Sequence, residues 1–519
     1  YNFINLMDLI TKICSISGKE FTITQWDLDF YDKISPTFAG QKFQIPTPTL
    51  HPEERQRRRL SFRNERNLYR RKCDASGKDI ISIYRPDKAF KVYDQKIRRS
   101  DSRDSMDYGR DFDFSKSFTE NFEELIKTVP KTSLWIFNSE NCDYTNEIIN
   151  CKSCYLIFSW VENDSCLYSH YIDYSKYCID CDQTINSENC YDCFSVEWCY
   201  ECIKSDHCKN SSFLINCSYC DWCKNCFNCH NLLNKEYCIN NIQYDKDQYE
   251  EYIIQNINNI REEEYINTNL NRIINCENCS GSYISNSKNI LYSQNIQNSE
   301  DCKRCLRGAG MNNCYDCFIT GVIPNSLYIE CMTVGPWTKN WFCTNSWPNV
   351  NYIYYCDSCS NSSNLFWCIS LRNKSYCIFN KQYTKEEYEI LVAKIITHMI
   401  ETKERGEFFY PSLSPFGYNE TVAQEYYPIN KWDLESFWYH RSDYQAPTPV
   451  ADKIIDGQNL PVTIDEVSDD ILKTAIKCEV TGKLFRIIPQ ELSFYRKHHL
   501  PLPRRHPNQR HLDRLALRK

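Results

Sequence analysis

Residues 178–238 read CIDCDQTINSENCYDCFSVEWCYECIKSDHCKNSSFLINCSYCDWCKNCFNCHNLLNKEYC, and every cysteine among them leaves the same remainder when its number is divided by three. The rule extends back through Cys166, Cys154 and Cys151 to Cys142, which makes it a property of a repeat. The finer period is twelve. Steps of twelve from Cys142 give Cys154, Cys166, Cys178, Cys190, Cys202, Leu214, Cys226 and Cys238. Of the three intervening columns, the one from Ile148 is largely aliphatic, the one from Cys151 small and polar, and the one from Thr145 thiol-rich. Helices bury positions at a period of 3.6 and flat strands at 2, so a period of 3 within 12 fits neither. It fits a narrow solenoid whose coils turn four small side chains inward and stack about 4.8 Å apart. Cysteine and serine suit a thin tube, and Trp160 and Lys235 are misfits that require it to widen or open.

The twelve-residue coil resembles the right-handed β-solenoid of beetle antifreeze proteins. Those proteins set Thr on both sides of a repeated Cys, whereas here the flanks are Asn141 and Asp143, or Tyr177 and Ile179, so ice binding is not implied. Past residue 270 the period survives in pieces, as in Cys302 with Cys314 and Cys356 with Cys368, and its phase shifts imply insertions.

CHNLLNKEYCINNIQYDKDQYEEYIIQNI from Cys229 matches CISLRNKSYCIFNKQYTKEEYEILVAKII from Cys368. Each closes a cysteine-rich block with a capped amphipathic helix: Asp245 and Gln248 lead the stripe Tyr249, Tyr252, Ile253, Ile257, Ile260, and Thr384 and Glu387 lead Tyr388, Leu391, Val392, Ile395, Ile396, Met399. Open solenoid ends expose strand edges, and these helices are the expected covers.

The two ends are copies of one module. Cys14, Gly18, Lys19, Phe21, Phe30 and Tyr31 match Cys478, Gly482, Lys483, Phe485, Phe494 and Tyr495; after a nine-residue difference, His51, Pro52 and Arg55 match His506, Pro507 and Arg510. A shorter echo runs from Cys73 to Ser82. The pattern resembles small zinc-ribbon domains, but Ser17, Ser76 and Thr481 stand where a second Cys ligand belongs, so the ribbons are degenerate. Degenerate ribbon ends around a Cys-rich middle closing with YCIFNKQYTKEEYE resemble an uncharacterised family of candidate-phyla bacteria, which implies no activity.

The expected fold is therefore mainly β: a right-handed parallel β-solenoid in two blocks of 12-residue coils with amphipathic capping helices, flanked by zinc-ribbon-like modules. The expected boundaries are 1–72 for the first module with its Arg-rich tail and 73–137 for the echo with an aromatic, acidic connector. The solenoid blocks follow at 138–265 and 266–405, then a linker at 406–473 and the C-terminal module at 474–519.

The chain has 519 residues, 32 Cys and a formal net charge of -7. Residues 138–380 hold 16 Lys+Arg against 28 Asp+Glu, a balance of -12, so the flanks together carry +5. No apolar run is long enough to span a membrane as a helix. The chain begins with Tyr, so localisation is loosely bounded, and cytoplasmic is the expectation.

Three chemistries are suggested. Cys178, Cys181, Cys190 and Cys193, and again Cys302, Cys305, Cys314 and Cys317, are spaced CxxC-eight-CxxC; neighbouring rungs bring such thiols close enough for a four-cysteine zinc or iron-sulfur site, against a bland reading as buried core thiols. The segment 51–72 carries Arg55, Arg57, Arg58, Arg59, Arg63, Arg66, Arg70 and Arg71, and the C-terminus carries Arg504, Arg505 and Arg510. Interleaved with aromatics, these suit RNA or DNA, although arginine runs also pair with acidic domains. Cys229 beside His230 and Cys208 beside His207 are sequence neighbours, which does not make a nucleophile and base. The function expected is a non-catalytic scaffold whose basic ends contact RNA or DNA, with zinc between rungs as the cofactor the thiols suggest. The alternatives are an exported adhesion or envelope solenoid recognising protein or glycan along its face, and a thiol-based metal-storage or redox protein.

Overall fold

A computed structural model describes residues 8–100, 103–256, 273–309, 314–320, 327–334, 339–444 and 451–516. The central stretch is a β-solenoid of about 17 turns. The chain divides into two compact units that cross the linear order: one joins residues 1–133 to 269–443, the other joins 134–268 to 444–519. Each unit thus combines a stretch of the solenoid with one terminal module.

The period of three has a backbone cause. From Asn138 to Asn240 every third residue, none of them glycine, sits in the left-handed region at φ between 44° and 62°. Each such residue turns the chain at a corner, the next points its side chain inward, and the third bridges to the coils above and below. Four corners make one coil. Left-handed backbone costs roughly 1–2 kcal/mol per non-glycine residue, and Asn, which tolerates it best, takes many of the corners. The stacking ladder must offset that cost.

The ladder uses two of every three amides. Ile179 N–H donates to the Cys190 carbonyl at 2.9 Å, and Asp192 N–H donates back to the Ile179 carbonyl at 3.0 Å. The third amide belongs to the inward residue. Where that residue is aliphatic, the coil side is a four-residue strand and the amide stays on the backbone: Ile148 N–H donates to the Trp135 carbonyl at 3.0 Å. At several other coil sides a side chain inside the tube accepts it. Cys181, Cys199 and Cys217 donate their amides to Ser169, Ser187 and Ser205 Oγ, each one coil earlier, at 3.0, 3.0 and 3.2 Å. Thiols serve in the same way: Cys368 N–H meets Cys356 Sγ at 3.4 Å and Cys356 N–H meets Cys343 Sγ at 3.5 Å. Buried amides must be satisfied, so inward Cys and Ser are chosen for an acceptor atom as well as for small size.

In the unit of residues 269–443, coil length varies. Register offsets are 11 between Ile273 and Ile284, 12 between Val350 and Ser362, 13 between Trp341 and Tyr354, and 14 between Cys314 and Tyr328. These are the expected insertions. Of the misfits, Lys235 is exposed in the final coils of its block, and Trp160 pairs with Ile148 in the ladder.

The helices after each block do not cover the tube ends as expected. The last strands, Glu236–Ile239 and Ser375–Ile378, each pair with an antiparallel return strand, Ile242–Gln243 and Lys381–Gln382, which covers the edge by hairpin. The helices lie on the flank instead. Tyr249 of the Lys246–Asn256 helix packs on Ile215, Phe227 and Ile239, and Tyr388 of the Lys385–Glu401 helix meets Phe38 and Tyr376 edge-on. Both expected helix caps form, with Glu387 N–H on Thr384 Oγ1 and Gln248 N–H on Asp245 Oδ1. Ile257 and Ile260 lie outside the described residues.

The terminal modules share one architecture: an antiparallel hairpin followed by two helices, Gln25–Ile34 and Pro52–Leu60 at one end, Pro489–Lys497 and Pro507–Ala516 at the other. Gly18, Gly77 and Gly482 hold φ of 67°, 71° and 67° in identical turns, where the carbonyls of Cys14, Cys73 and Cys478 accept the glycine amide at 2.8–3.0 Å. The shared "FY" pair lies in the first helix of each module. Residues 406–443, expected as part of a linker, are packed: Phe408 and Phe409 meet Phe62, and Phe409 stacks on Phe122. The acidic connector supplies that Phe122 from the capped helix Phe118–Thr128. Among the described residues no helix is long and apolar enough to cross a membrane.

Candidate functional site

The eight thiols singled out by spacing, Cys178, Cys181, Cys190, Cys193, Cys302, Cys305, Cys314 and Cys317, are all fully buried inward residues. They form columns. Cys190 is held well below the usual thiol range by hydrogen bonds from Cys178, Cys193 and Cys202, while Cys178 is pushed well above it by the same network. No three of these sulfurs approach within 4.8 Å of one another, so as placed they do not form a tetrahedral cage. The thiols also have carbonyls to donate to, as Cys193 Sγ does to the Tyr191 and Cys202 oxygens at 3.4 and 3.2 Å. All 32 cysteines are thiols rather than disulfides, and only Cys142, Cys276 and Cys279 are half-exposed. A thiol reagent should therefore react quickly with about three groups in the native protein and with the remainder only after denaturation, as counted by mass spectrometry.

The arginines are drawn into the fold. Arg55, on the second helix of the N-terminal module, pairs with Asp316 and with Glu330 at 3.6 Å, and Arg59, one turn on, reaches Glu330 at 3.4 Å. Arg510, on the equivalent C-terminal helix, pairs with Asp180 and with Glu491 at 3.6 Å, and Arg514 reaches Asp180 and Asp192, both at 3.3 Å. Asp180 and Asp192 are left-handed corner residues one coil apart, and Asp316 and Glu330 are the equivalent pair in the other unit. One rule serves both ends: two arginines at i and i+4 clamp two carboxylates on adjacent coils. Aromatics complete each dock, with Phe30 and Tyr31 on Tyr315 and Phe494 and Tyr495 on Tyr191. Burial alone would weaken the Arg55 and Arg510 charges, but the carboxylates raise both further above their usual range.

The other predicted nucleic-acid residues divide similarly. Arg58 pairs with Glu407, Arg63 with Glu65, and Arg71 with Asp74, all from buried positions. Arg57 lies against Glu54 and over the Tyr427 and Phe437 rings. Arg66 and Arg504 are half-buried; Arg70 and Arg505 are exposed, the latter paired with Glu479 and Asp513. The proposed phosphate contacts are largely internal ion pairs. Cys208 points into the tube while His207 faces outward onto Asp206 at 2.7 Å, so that adjacency does not become a dyad.

Two outer columns were legible in the sequence but masked by the cysteines. Tyr155, Leu167, Ile179, Tyr191 and Ile203 recur every twelve residues and form the apolar stripe on which the C-terminal module packs. At one corner the column Tyr174, Asn186, Trp198, Asn210, Trp222, Asn234 alternates aromatic and amide. Its aromatics are open to solvent: Tyr174 is 52%, Trp198 59% and Trp222 63% exposed. Across the same tube side stand exposed Tyr177, Tyr200 and Phe213, the last two edge-to-face at 5.5 Å. Comparison with protein-family models and with curated proteins gave no match.

Proposed function

We propose that the protein is a non-catalytic binding scaffold, and that the aromatic side of the 138–240 solenoid takes a neutral, extended glycan strand. The observation that carries this reading is the exposed row Tyr174, Trp198, Trp222, with Asn186 and Asn210 between its rings. Exposed aromatics in a regular row are the feature a binding surface has and a solvated surface lacks. Two coil rises separate successive rings, about 9.6 Å, close to the length of a disaccharide unit. Stacking of sugar faces on the rings, with amides reaching ring hydroxyls, uses both residue types of the column. A repeating polymer matches a repeating row better than an irregular protein surface does. The balance of -12 over residues 138–380 disfavours a polyanion on this face, and the arginines that would attract one are mostly engaged internally.

Native electrophoresis in gels cast with soluble neutral polysaccharides tests the reading, with single-stranded RNA as a parallel probe. Retardation of the wild type by at least one glucan or xylan is expected, weakened about 10-fold or more in a Trp198→Ala/Trp222→Ala variant. Absence of retardation in every gel, equal retardation of the variant, or salt-sensitive RNA binding lost in that variant instead would overturn it.

A further inference from the structure

His170, Asp182 and His511 meet in a place that no spacing in the sequence marks. His170 and Asp182 are register partners on adjacent strands of the solenoid, so the ladder holds their side chains next to one another. His511 arrives from the C-terminal helix Pro507–Ala516, between the clamp arginines Arg510 and Arg514. The clamp therefore fixes the imidazole against the coil. All three residues are buried, at 1%, 0% and 2% exposure, and one ligand atom from each lies within 4.8 Å of the others.

The separations suit ligands that converge on one point. Asp182 Oδ2 is 3.6 Å from His170 Nδ1 and 4.0 Å from His511 Nδ1. Zinc bonds to imidazole nitrogen and carboxylate oxygen of about 2.0–2.1 Å set neighbouring ligand atoms roughly 3.3 Å apart around a tetrahedron. Closing the two separations from Asp182 to that spacing takes shifts of about 0.3 and 0.7 Å, within the reach of side-chain rotation. The two imidazole rings stand nearly perpendicular, at 85° with centroids 5.0 Å apart, so both can aim a nitrogen at one point without stacking. Two imidazoles and one carboxylate suit zinc and its first-row neighbours, whereas calcium and magnesium seek oxygen shells.

We infer that His170, Asp182 and His511 bind one divalent transition-metal ion, zinc by chemistry, that staples the C-terminal helix to the solenoid. The fourth vertex is left for water or for a further ligand. This site shares no residue with the thiol columns and is independent of the glycan reading.

Cobalt(II) distinguishes the two sets of ligands. Full-length protein stripped with a chelator is expected to take up about one cobalt(II) per chain, with visible d–d bands and without the intense near-ultraviolet charge-transfer band of thiolate ligation. His511→Gln, which keeps the helix packed, and Asp182→Asn should both abolish the bands, and zinc should raise the melting temperature of the wild type but of neither variant. A thiolate charge-transfer spectrum, bands that persist in His511→Gln, or no stoichiometric uptake by folded wild type would overturn the inference.

Discussion

Replacing Arg510 by alanine should cost about 3–5 kcal/mol of stability, measured as a fall in the urea midpoint of the transition that releases the C-terminal module. The guanidinium is buried between Asp180 and Glu491 and lies over the Tyr168 ring at 4.7 Å. Removing it leaves two buried carboxylates facing each other without that cation. Glu491 is already pushed upward by burial, with Arg510 opposing that shift, so the variant should take up a proton and lose part of the penalty as pH falls. Arg505→Ala is the control. That residue is exposed, pairs with Glu479 and Asp513, and should change stability by less than about 1 kcal/mol. If the two variants behaved alike, the clamp would have no energetic meaning.

The N-terminal module offers the second large effect. Lys303 Nζ sits 2.6 and 2.7 Å from the two Asp27 oxygens, with both side chains fully buried. Asp27→Ala strands the ammonium and should cost about 3–5 kcal/mol, while Asp27→Ala/Lys303→Met should recover much of it, because an apolar pair of similar volume is often neutral. Burial pushes the Asp27 carboxyl upward, but Lys303 and the Thr24 amide and hydroxyl hold it below its ordinary 3.8. A carboxylate whose folded value is depressed contributes stability that is present above its unfolded value and lost as pH falls through the folded one. The wild type should therefore lose stability below about pH 4 more steeply than Asp27→Ala, as followed by urea midpoints between about pH 3 and 6.

The tube was legible because one residue in three points inward and those residues are almost all small. What the cysteine spacing could not show is why so many are Cys or Ser when alanine would fill a thin tube as well. That answer depends on the left-handed corner, which takes one amide in three off the ladder, and corner residues as different as Leu156, Trp198 and Lys204 dilute the asparagine preference that would mark it. The outer columns are a different case. Tyr155, Leu167, Ile179, Tyr191 and Ile203 keep the same twelve-residue period as the thiols, and a column-by-column reading of the outward positions exposes a docking stripe. Arginine counts were the least informative, since Arg510 and its partner Asp180 stand 330 residues apart and charge alone cannot separate a buried clamp from a solvated face. A comparable distance along the chain hid the His170, Asp182 and His511 group.

The terminal modules carry a related lesson. Ser17, Ser76 and Thr481 stand three residues after the turn cysteines, and the structure shows how the turn holds with them. Cys14 and Cys478 sulfurs accept the amides of Ser17 and Thr481 at 3.5 and 3.4 Å, which occupies the sulfur with backbone hydrogen bonds. The duplication has a further meaning in the fold, because each copy docks on a different solenoid block by the same pair of arginines.

Cys356 provides the most direct test of the claim that inward thiols are hydrogen-bond acceptors as well as filler. Its sulfur accepts the Cys368 amide from the next coil at 3.4 Å, and the side chain is fully buried. In an ordinary apolar core Cys→Ala is tolerated better than Cys→Ser, because the serine hydroxyl must be desolvated. Here serine keeps an acceptor for the buried amide and alanine does not, at a penalty of about 1–3 kcal/mol for the unsatisfied group. Urea unfolding of Cys356→Ser and Cys356→Ala should place the serine variant above the alanine variant in stability; an alanine variant equal to or more stable than the serine variant would contradict the account.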